Sequence, residues 1–166
     1  MTRRPRTVSG TAGPGRIGMR LLPTVLLADA DADSCAMVRD ALLEGVGPSD
    51  LRTVASAHEL DDYLHQRGDH EDDRTSPPPA LIVIDQDLPG NEDFDAVRAI
   101  KSNSRLRRTP VVVLARVPHP EQTAAAYDAG ANTVIAKPVT FLALVKLTKV
   151  FTAYWLEAAA LPPERA

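Results

Sequence analysis

Cysteine is almost absent from this chain. Its 166 residues include one cysteine, Cys35, so no disulfide can form within the chain, and nothing in the sequence argues for an oxidising compartment. No apolar run approaches the length of a membrane span, and the arginine-containing N-terminus lacks the apolar segment of a signal peptide. We therefore expect a cytoplasmic protein with no membrane partner.

Acidic residues are missing from the first 20 positions, which carry five arginines. Subtracting these from the 19 Lys+Arg of the whole chain leaves 14, against 22 Asp+Glu, in the remainder. A remainder this acidic argues against direct nucleic-acid binding. Composition predicts that residues 1–22 are a disordered basic tail, or that they follow a start codon misassigned upstream of Met19. Contact of this tail with an acidic partner is the alternative.

Five short apolar runs alternate with helical patterns along the rest of the chain. They predict strands at residues 24–28, 51–55, 80–84, 110–114 and 133–136. Alternating strands and helices are typical of βαβ units, whose strands form a parallel sheet covered on both faces. The predicted fold class is α/β: a five-stranded, doubly wound (βα)5 sheet of the flavodoxin-like type with strand order 2-1-3-4-5. It covers residues 23–160, and a tail follows at 161–166.

Capping residues predict where the helices begin and end. Asp31 or Asp33 can cap the first helix, and Ser56 with Glu59 forms a capping box for the second. Later helices are predicted at residues 93–102, 121–129 and 141–159, with Gly130 in the left-handed position after a helix. Residues 67–79 are predicted to be a solvated polar loop, because the spacing of His65, His70 and the acids between them fixes no metal geometry.

Three of the predicted strands end in side chains that can carry chemistry. Asp29 follows the first strand, Asp85 ends the third, and Lys137 follows the fifth. In an open α/β sheet, ligands bind outside the carboxyl ends of the strands, at the point where strand order reverses. We therefore expect two carboxylates and an ammonium group to converge on one crevice.

The last helix is apolar on more than one side. One predicted face comprises Phe141, Leu144, Val145, Thr148, Phe151 and Trp155, and a second apolar surface comprises Leu142, Leu147, Val150, Tyr154 and Ala158. One surface can pack on the sheet, and the second must be buried against another part of the protein or a partner. We predict a homodimer through this helix, with Phe151, Tyr154 and Trp155 at the dimer face. Packing against the tail Leu161-Pro162-Pro163 is the alternative.

The segment around Asp85 resembles a known family. The sequence Asp85-Gln86-Asp87-Leu88-Pro89-Gly90 follows an apolar strand, Gly130-Ala131 precedes the fifth strand, and Lys137-Pro138 follows it. In these features residues 24 to about 160 resemble a response-regulator receiver domain, the phospho-accepting half of two-component signalling. Three further features are similar to the stand-alone receivers that partner bacterial phytochromes and tend to dimerise through their C-terminal face. These features are the inserted loop at 67–79, residues 107–114, and the ending Tyr154-Trp155-Leu156-Glu157 with Leu161-Pro162.

The resemblance implies a role for each site residue. Asp85 matches the carboxylate that accepts a phosphoryl group from a histidine kinase, and Lys137 matches the lysine that pairs with this acceptor. Mg²⁺ is the implied cofactor, with Asp29 and Asp85 as carboxylate ligands and the backbone carbonyl of Asp87 as a third. The implied partner is a histidine kinase, with a phytochrome-like kinase as one candidate, or another signalling protein.

Several positions depart from the family pattern. The second acid after strand one, which usually binds Mg²⁺, falls on Ala30, and the side chain of Asp31 should leave in another direction. The hydroxyl expected after strand four falls on Ala115, and the aromatic switch residue expected on strand five falls on Val134. Arg116 could either neutralise Asp85 or a phosphate in the crevice, or reach solvent.

Three functions are compatible with these residues. The preferred one is an atypical, non-enzymatic receiver in which Mg²⁺ binding and phosphorylation at Asp85 are weak or absent and protein–protein interaction carries the signal. The alternative is a fully functional phospho-accepting receiver, in which Asp29, Asp31 and Arg116 compensate. A remote alternative is a phosphatase of the haloacid-dehalogenase type using Asp85 and Asp87, which the short chain and Pro89 both oppose.

Overall fold

The computed structural model describes residues 23–46 and 50–160. The predicted tails, residues 1–22 and 161–166, lie outside the described residues. The described residues form five strands: β1 (Thr24–Ala28), β2 (Asp50–Val54), β3 (Leu81–Asp85), β4 (Val111–Ala115) and β5 (Thr133–Ala136). The main helices are α1 (Ala32–Val46), α2 (Ala57–Leu64), α3 (Asp95–Ser102), α4 (Pro120–Asp128) and α5 (Phe141–Thr152). No helix in the described ranges is both long and apolar enough to span a membrane.

All strand pairs are parallel, and the strands lie in the order β2-β1-β3-β4-β5. This order confirms the predicted flavodoxin-like arrangement. The order reverses between β1 and β3, where the register pairs Ala28 with Ile84. The carboxyl ends of these two strands therefore lie side by side at the switch point.

The two faces of the sheet bury alternate residues against different helices. Leu26, Ile82, Ile84, Val111 and Val113 pack with residues of α2, α3 and α4. Val25, Leu27, Leu81, Val83, Val112 and Leu114 pack on the other face, toward α1 and α5. Because both faces are covered, β1, β3 and β4 read as continuous apolar runs in the sequence.

Side-chain caps fix the starts of α1 and α2, and Thr140 Oγ1 caps α5 by accepting from the N–H of Ala143 at 3.3 Å. Asp31, rather than Asp33, caps α1, since its Oδ1 accepts hydrogen bonds from the backbone N–H groups of Asp33 and Ser34. Ser56 Oγ accepts from the N–H of Glu59 at 3.1 Å. The Glu59 carboxylate reaches back to the N–H of Ala55 at 2.7 Å, one residue further than a standard capping box requires.

The predicted start of the third helix at Asp93 is wrong. Asp93 (φ 49°) and Phe94 (φ 63°) are left-handed, so α3 begins at Asp95 after a short turn at Glu92–Phe94. Asn91 holds this turn, because its Oδ1 accepts from the N–H of Ala96 at 3.0 Å. The remaining differences from the predicted boundaries are one residue at the ends of β2, β3, β4 and α4.

The loop at 67–79 is mostly exposed, as predicted, but some of its residues contact the body of the domain. It contains a single helical turn at Gly68–His70 and packs on α2. Tyr63 Oη donates to the carbonyl of Pro77 at 2.8 Å, its ring lies 5.1 Å from that of His70, and Ser76 is buried. Among the described residues, no group of three or more His, Cys, Asp or Glu side chains could hold a metal ion.

The last helix continues beyond α5 into a wider π-helical segment, Ala153–Ala158. Leu144, Val145 and Thr148 are buried as predicted, and Thr152, which the pattern did not single out, is fully buried. Phe141 was predicted on the buried face but is exposed. The outward surface carries Leu142, Val150 and Tyr154, with 66%, 70% and 58% of their surface exposed.

Candidate functional site

Asp29, Asp85 and Lys137 meet at the carboxyl edge of the sheet. Lys137 Nζ lies 2.7 Å from Asp29 Oδ2 and 2.5 Å from Asp85 Oδ2. Both aspartates are buried and the lysine is largely buried. One ammonium group therefore bridges two carboxylates in a crevice with little access to water.

The strand order explains how a lysine on β5 reaches acids on β1 and β3. Lys137 directly follows β5, and its backbone N–H donates to the carbonyl of Ala115 at the end of β4 at 2.7 Å. Strand β4 lies between β5 and β3, and its last residue has only a methyl side chain. The aliphatic chain of Lys137 can thus pass over β4 to reach Asp85.

Asp29 is held by four more hydrogen bonds, one of them from its backbone N–H to the carbonyl of Val54 at 2.9 Å. Its Oδ1 accepts from the N–H of Asp31 at 2.9 Å, and its Oδ2 accepts from Ser34 Oγ at 2.7 Å. Cys35 Sγ contacts the Asp29 carbonyl oxygen at 3.4 Å. Sequence reasoning missed Ser34, which is buried in the first turn of α1. Its place three residues after the Asp31 cap is the signal that could have found it.

Burial and hydrogen bonding act on the pKa of Asp29 in opposite directions. Burial alone would raise it, but the bonds from Lys137, Ser34 and the backbone of Asp31 outweigh burial, so the pKa lies below its ordinary value of 3.8. Burial would likewise lower the pKa of Lys137, but the two carboxylates outweigh it and hold the pKa above 10.5. Asp29 and Lys137 are therefore both charged at neutral pH.

The loop after Asp85 turns back onto the side chain of Asp85. Asp85 Oδ1 accepts from the N–H of Asp87 at 2.9 Å, and the N–H of Leu88 donates to the Asp85 carbonyl at 3.1 Å. The Asp87 side chain is exposed, and its carbonyl accepts no hydrogen bond from the described residues. The N–H of Ala57 donates to the carbonyl of Pro89 at 2.9 Å and ties the loop to the start of α2.

The departures from the family pattern lie around this crevice. Ala30 is exposed, and Asp31, the nearest alternative acid, uses its carboxylate to cap α1. Ala115 is buried beside Asp85 on the neighbouring strand, and Val134 is half-buried on β5. Arg116 is exposed and forms no hydrogen bond or ion pair with the residues the structure describes. Its position supports the solvent-facing alternative.

The oxygen atoms at the crevice suit a small hard cation. Mg²⁺ is commonly held by one or two carboxylates with water completing the shell. Asp29 and Asp85 would supply the carboxylates and Asp87 its carbonyl. The Lys137 ammonium already neutralises one of the two negative charges. This donor set fits Mg²⁺, but with one acid fewer than the family pattern.

Comparison with known proteins agrees with this geometry. The profile of the response regulator receiver domain matches residues 25–149. The chain is 30% identical over 138 residues to the response regulator Rcp1 of a Synechocystis species, covering 83% of this chain and 91% of that protein.

Solved structures agree as well. The phosphorylated cyanobacterial phytochrome response regulator RcpA has a TM-score of 0.77 at 27% identity, covering 86% of this chain and 99% of that one. The Mn²⁺-bound form of Rcp1 has a TM-score of 0.75 at 27% identity, covering 85% of this chain and 99% of that one. A red-light-signalling response regulator of R. palustris shares the fold with a TM-score of 0.81 at 24% identity, covering 86% of this chain and 100% of that one. The chain therefore belongs to the response regulator receiver domain family and is a response regulator of two-component signalling, related by sequence and structure to phytochrome response regulators.

Proposed function

We propose that this protein is an atypical single-domain receiver that acts by protein–protein interaction, with weak or absent Mg²⁺-dependent phosphorylation at Asp85. The observation that carries the proposal is that the site has the carboxylate and its lysine but lacks three side chains that usually assist them. Asp85 and Lys137 are paired at 2.5 Å, while Ala30, Ala115 and Val134 stand where an acid, a hydroxyl and an aromatic ring would assist. The acceptor residue is therefore present without these three assisting side chains.

The charge at the crevice supports weak metal binding. Asp29 and Asp85 contribute two negative charges, and Lys137 returns one positive charge. An acid at position 30 would double the remaining net negative charge. Loss of even an outer partner of a metal site commonly reduces affinity about 10–100-fold, so loss of a direct ligand should reduce it at least as much.

The residues present define what the site can do with a phosphoryl group. An Asp85 oxygen would attack phosphorus while the kinase histidine leaves, and Lys137 would neutralise charge on the transferred group. A bound Mg²⁺ ion would spread the negative charge of the transferring group. Ala115 offers no hydroxyl to the phosphate. The phosphorylated state would therefore gain few new contacts, and a switch requires contacts that differ between two states.

Partner binding then has to set the state of the protein. Kinship with phytochrome response regulators supports a phytochrome-like histidine kinase, or another signalling protein, as the partner in the cytoplasm. A homodimer through the C-terminal helix is part of the proposal, because Leu142, Val150 and Tyr154 leave apolar surface exposed there. Phe151 and Trp155 pack partly on their own sheet, so Tyr154 is the most exposed member of the predicted dimer face.

The test is phosphorylation by a small donor. The purified protein is incubated with acetyl phosphate and Mg²⁺, and its intact mass is measured. We expect a minor fraction, or none, to gain one phosphoryl group of about 80 Da. The double variant Ala30→Asp with Ala115→Thr should gain it more completely, and Asp85→Asn should not gain it in either background. Near-complete modification of the unaltered protein would contradict the proposal.

That contradicting result would favour the second candidate, a fully functional phospho-switch. The intact pairing of Asp85 with Lys137 is the observation in its favour. The phosphatase alternative finds no support in the family match, and the exposed Asp87 side chain forms no hydrogen bond with the described residues. Steady hydrolysis of a phosphate ester, lost in Asp87→Asn, would revive it.

A further inference from the structure

An apolar groove lies between α2 and α3. It is lined by the buried side chains of Leu60 and Ile100 and by the half-buried Leu64 and Leu106. Its volume of about 230 Å³ is smaller than the roughly 300–1,000 Å³ of pockets for small-molecule ligands. An apolar cavity of about 150 Å³ can hold benzene, so the groove has room for one or two apolar side chains. This size favours a short peptide segment as the occupant.

Two carboxylates stand at the groove, Asp61 on α2 and Asp95 on α3. Asp61 pairs with Arg67, and Asp95 pairs with Arg98 Nη1 at 3.1 Å, and all four side chains are exposed to solvent. Exposed ion pairs contribute little to stability, and a carboxylate has further lone pairs that can accept from a second guanidinium group. The groove therefore suits a segment that combines apolar side chains with arginine.

The sequence just before β1 has this composition. Residues 16–22 (Arg16-Ile17-Gly18-Met19-Arg20-Leu21-Leu22) contain two arginines, four apolar side chains and no acid. This basic-apolar segment lies outside the described residues. Its place is inferred from its composition and from where the described chain begins.

The described chain begins close to one end of the groove. The carbonyl of Thr24 accepts from the N–H of Ala80 at 2.9 Å, and the carbonyl of Pro77 accepts from Tyr63 Oη at 2.8 Å. The residue after Tyr63 lines the groove. Six extended residues span about 20 Å, whereas the eight residues of α2 span about 12 Å. The basic-apolar segment is therefore long enough to run from the start of β1 along the groove.

We propose that the basic-apolar segment docks in the groove between α2 and α3 of its own chain, with apolar side chains in the groove and Arg16 and Arg20 beside Asp61 and Asp95. The docked segment covers apolar surface and keeps this face of the domain from binding other proteins. This goes beyond the proposed function, and it holds whether or not the acceptor is phosphorylated.

Trypsin cleavage after Arg16 and Arg20 of the full chain tests the docking, because a docked segment is cut only when it leaves the groove. Ala99 is exposed and lines the groove, so Ala99→Phe fills the groove without displacing a core side chain. We expect this variant to be cut about three- to tenfold faster than the wild type, as measured by intact mass. Ala124→Phe makes the same change at an exposed position of α4 and should be cut at the wild-type rate.

Removing one carboxylate from the groove gives a second test. Asp95→Asn should speed cleavage about twofold or more at low salt, and the difference from the wild type should disappear at high salt, where exposed ion pairs are screened. Asp33→Asn makes the same change in the first turn of α1 and should have no effect.

Equal cleavage of the wild type and Ala99→Phe, or equal acceleration by Ala99→Phe and Ala124→Phe, would overturn the proposal. So would the absence of any effect of Asp95→Asn at low salt. Protection that rises with protein concentration would place the segment of a second copy in the groove and contradict docking within one chain. None of these outcomes depends on Mg²⁺ or on a phosphate donor, so they leave the acetyl phosphate experiment unaffected.

Discussion

At the scale of single residues, Ser34 is, after Lys137, one of the side chains that stabilise the Asp29 carboxylate. Its hydroxyl donates to Asp29 Oδ2 at 2.7 Å inside the protein. Ser34→Ala should therefore raise the pKa of Asp29 and lower the free energy of unfolding at neutral pH by about 1.5–3 kcal/mol, the range for hydrogen bonds to charged groups. Urea unfolding of the two proteins at several pH values measures this loss.

The pH dependence of that loss follows from the sign of the shift. The folded pKa of Asp29 lies below its unfolded value of about 3.8, so its contribution to stability is complete above that value and disappears as pH falls through the folded pKa. The difference between wild type and Ser34→Ala should thus shrink in acid. Ser102→Ala, which removes an exposed hydroxyl bonded to the Ala99 carbonyl, is the control and should change little at any pH. A loss independent of pH would contradict the assigned role of Ser34.

At the scale of elements, the turn before α3 stores strain. Asp93 and Phe94 are both left-handed, a conformation that costs a non-glycine residue about 1–2 kcal/mol. Asp93→Gly should raise the free energy of unfolding by up to about 1 kcal/mol, since glycine adopts this conformation freely but loses more chain entropy on folding. Thermal unfolding measures the change. Asp95→Gly, two residues later in the first turn of α3, should have the opposite effect, and destabilisation by both substitutions would contradict the assigned strain.

Sequence patterns predicted most helices and strands, because the residues that indicate them are close together in the sequence. The buried strands are continuous apolar runs, and Ser56 with Glu59 marks the start of α2 directly. The turn at Asp93 escaped prediction because neither residue is a glycine and the bond from Asn91 Oδ1 to Ala96 depends on the folded loop. Ser34 has a local signal in its place three residues after the Asp31 cap, but its bond to Asp29 also depends on the direction in which α1 leaves β1.

The site likewise contains some residues that the sequence predicts and some contacts that it does not. The positions of Asp85 and Lys137 after apolar runs were sufficient to expect a crevice, because parallel strands bring their carboxyl ends to one edge. Gln86 Nε2 donates a hydrogen bond to Gln122 Oε1 at 2.9 Å, although the two residues are 36 positions apart. No spacing in the sequence indicates this contact between two long side chains. Contacts made by flexible polar side chains across elements have no periodic signature.

At the scale of the whole molecule, the exposed surface of the C-terminal helix predicts self-association. Val150 and Tyr154 lie one turn apart and are mostly exposed. If this surface forms the proposed dimer, the double substitution Val150→Asp and Tyr154→Asp should yield a monomer in light scattering, because two carboxylates would be buried without partners.

A surface control is available on α1. Leu43 is 56% exposed on that helix, and Leu43→Asp should leave the dimer intact. A wild-type protein that stays monomeric at high concentration would refute the dimer. It would leave the acceptor site unaffected, because Asp29, Asp85 and Lys137 all come from one chain.

The proposed weak phosphorylation depends most on the identity of the residue at position 30. Titration calorimetry with Mg²⁺, run side by side on the wild type and on Ala30→Asp, measures its effect without any kinase or phosphate donor. Ala30 is exposed, so the added carboxylate displaces no core side chain. We predict that Ala30→Asp binds Mg²⁺ at least about tenfold more tightly than the wild type. Equal affinity of the two proteins, with the wild type binding tightly, would contradict the account.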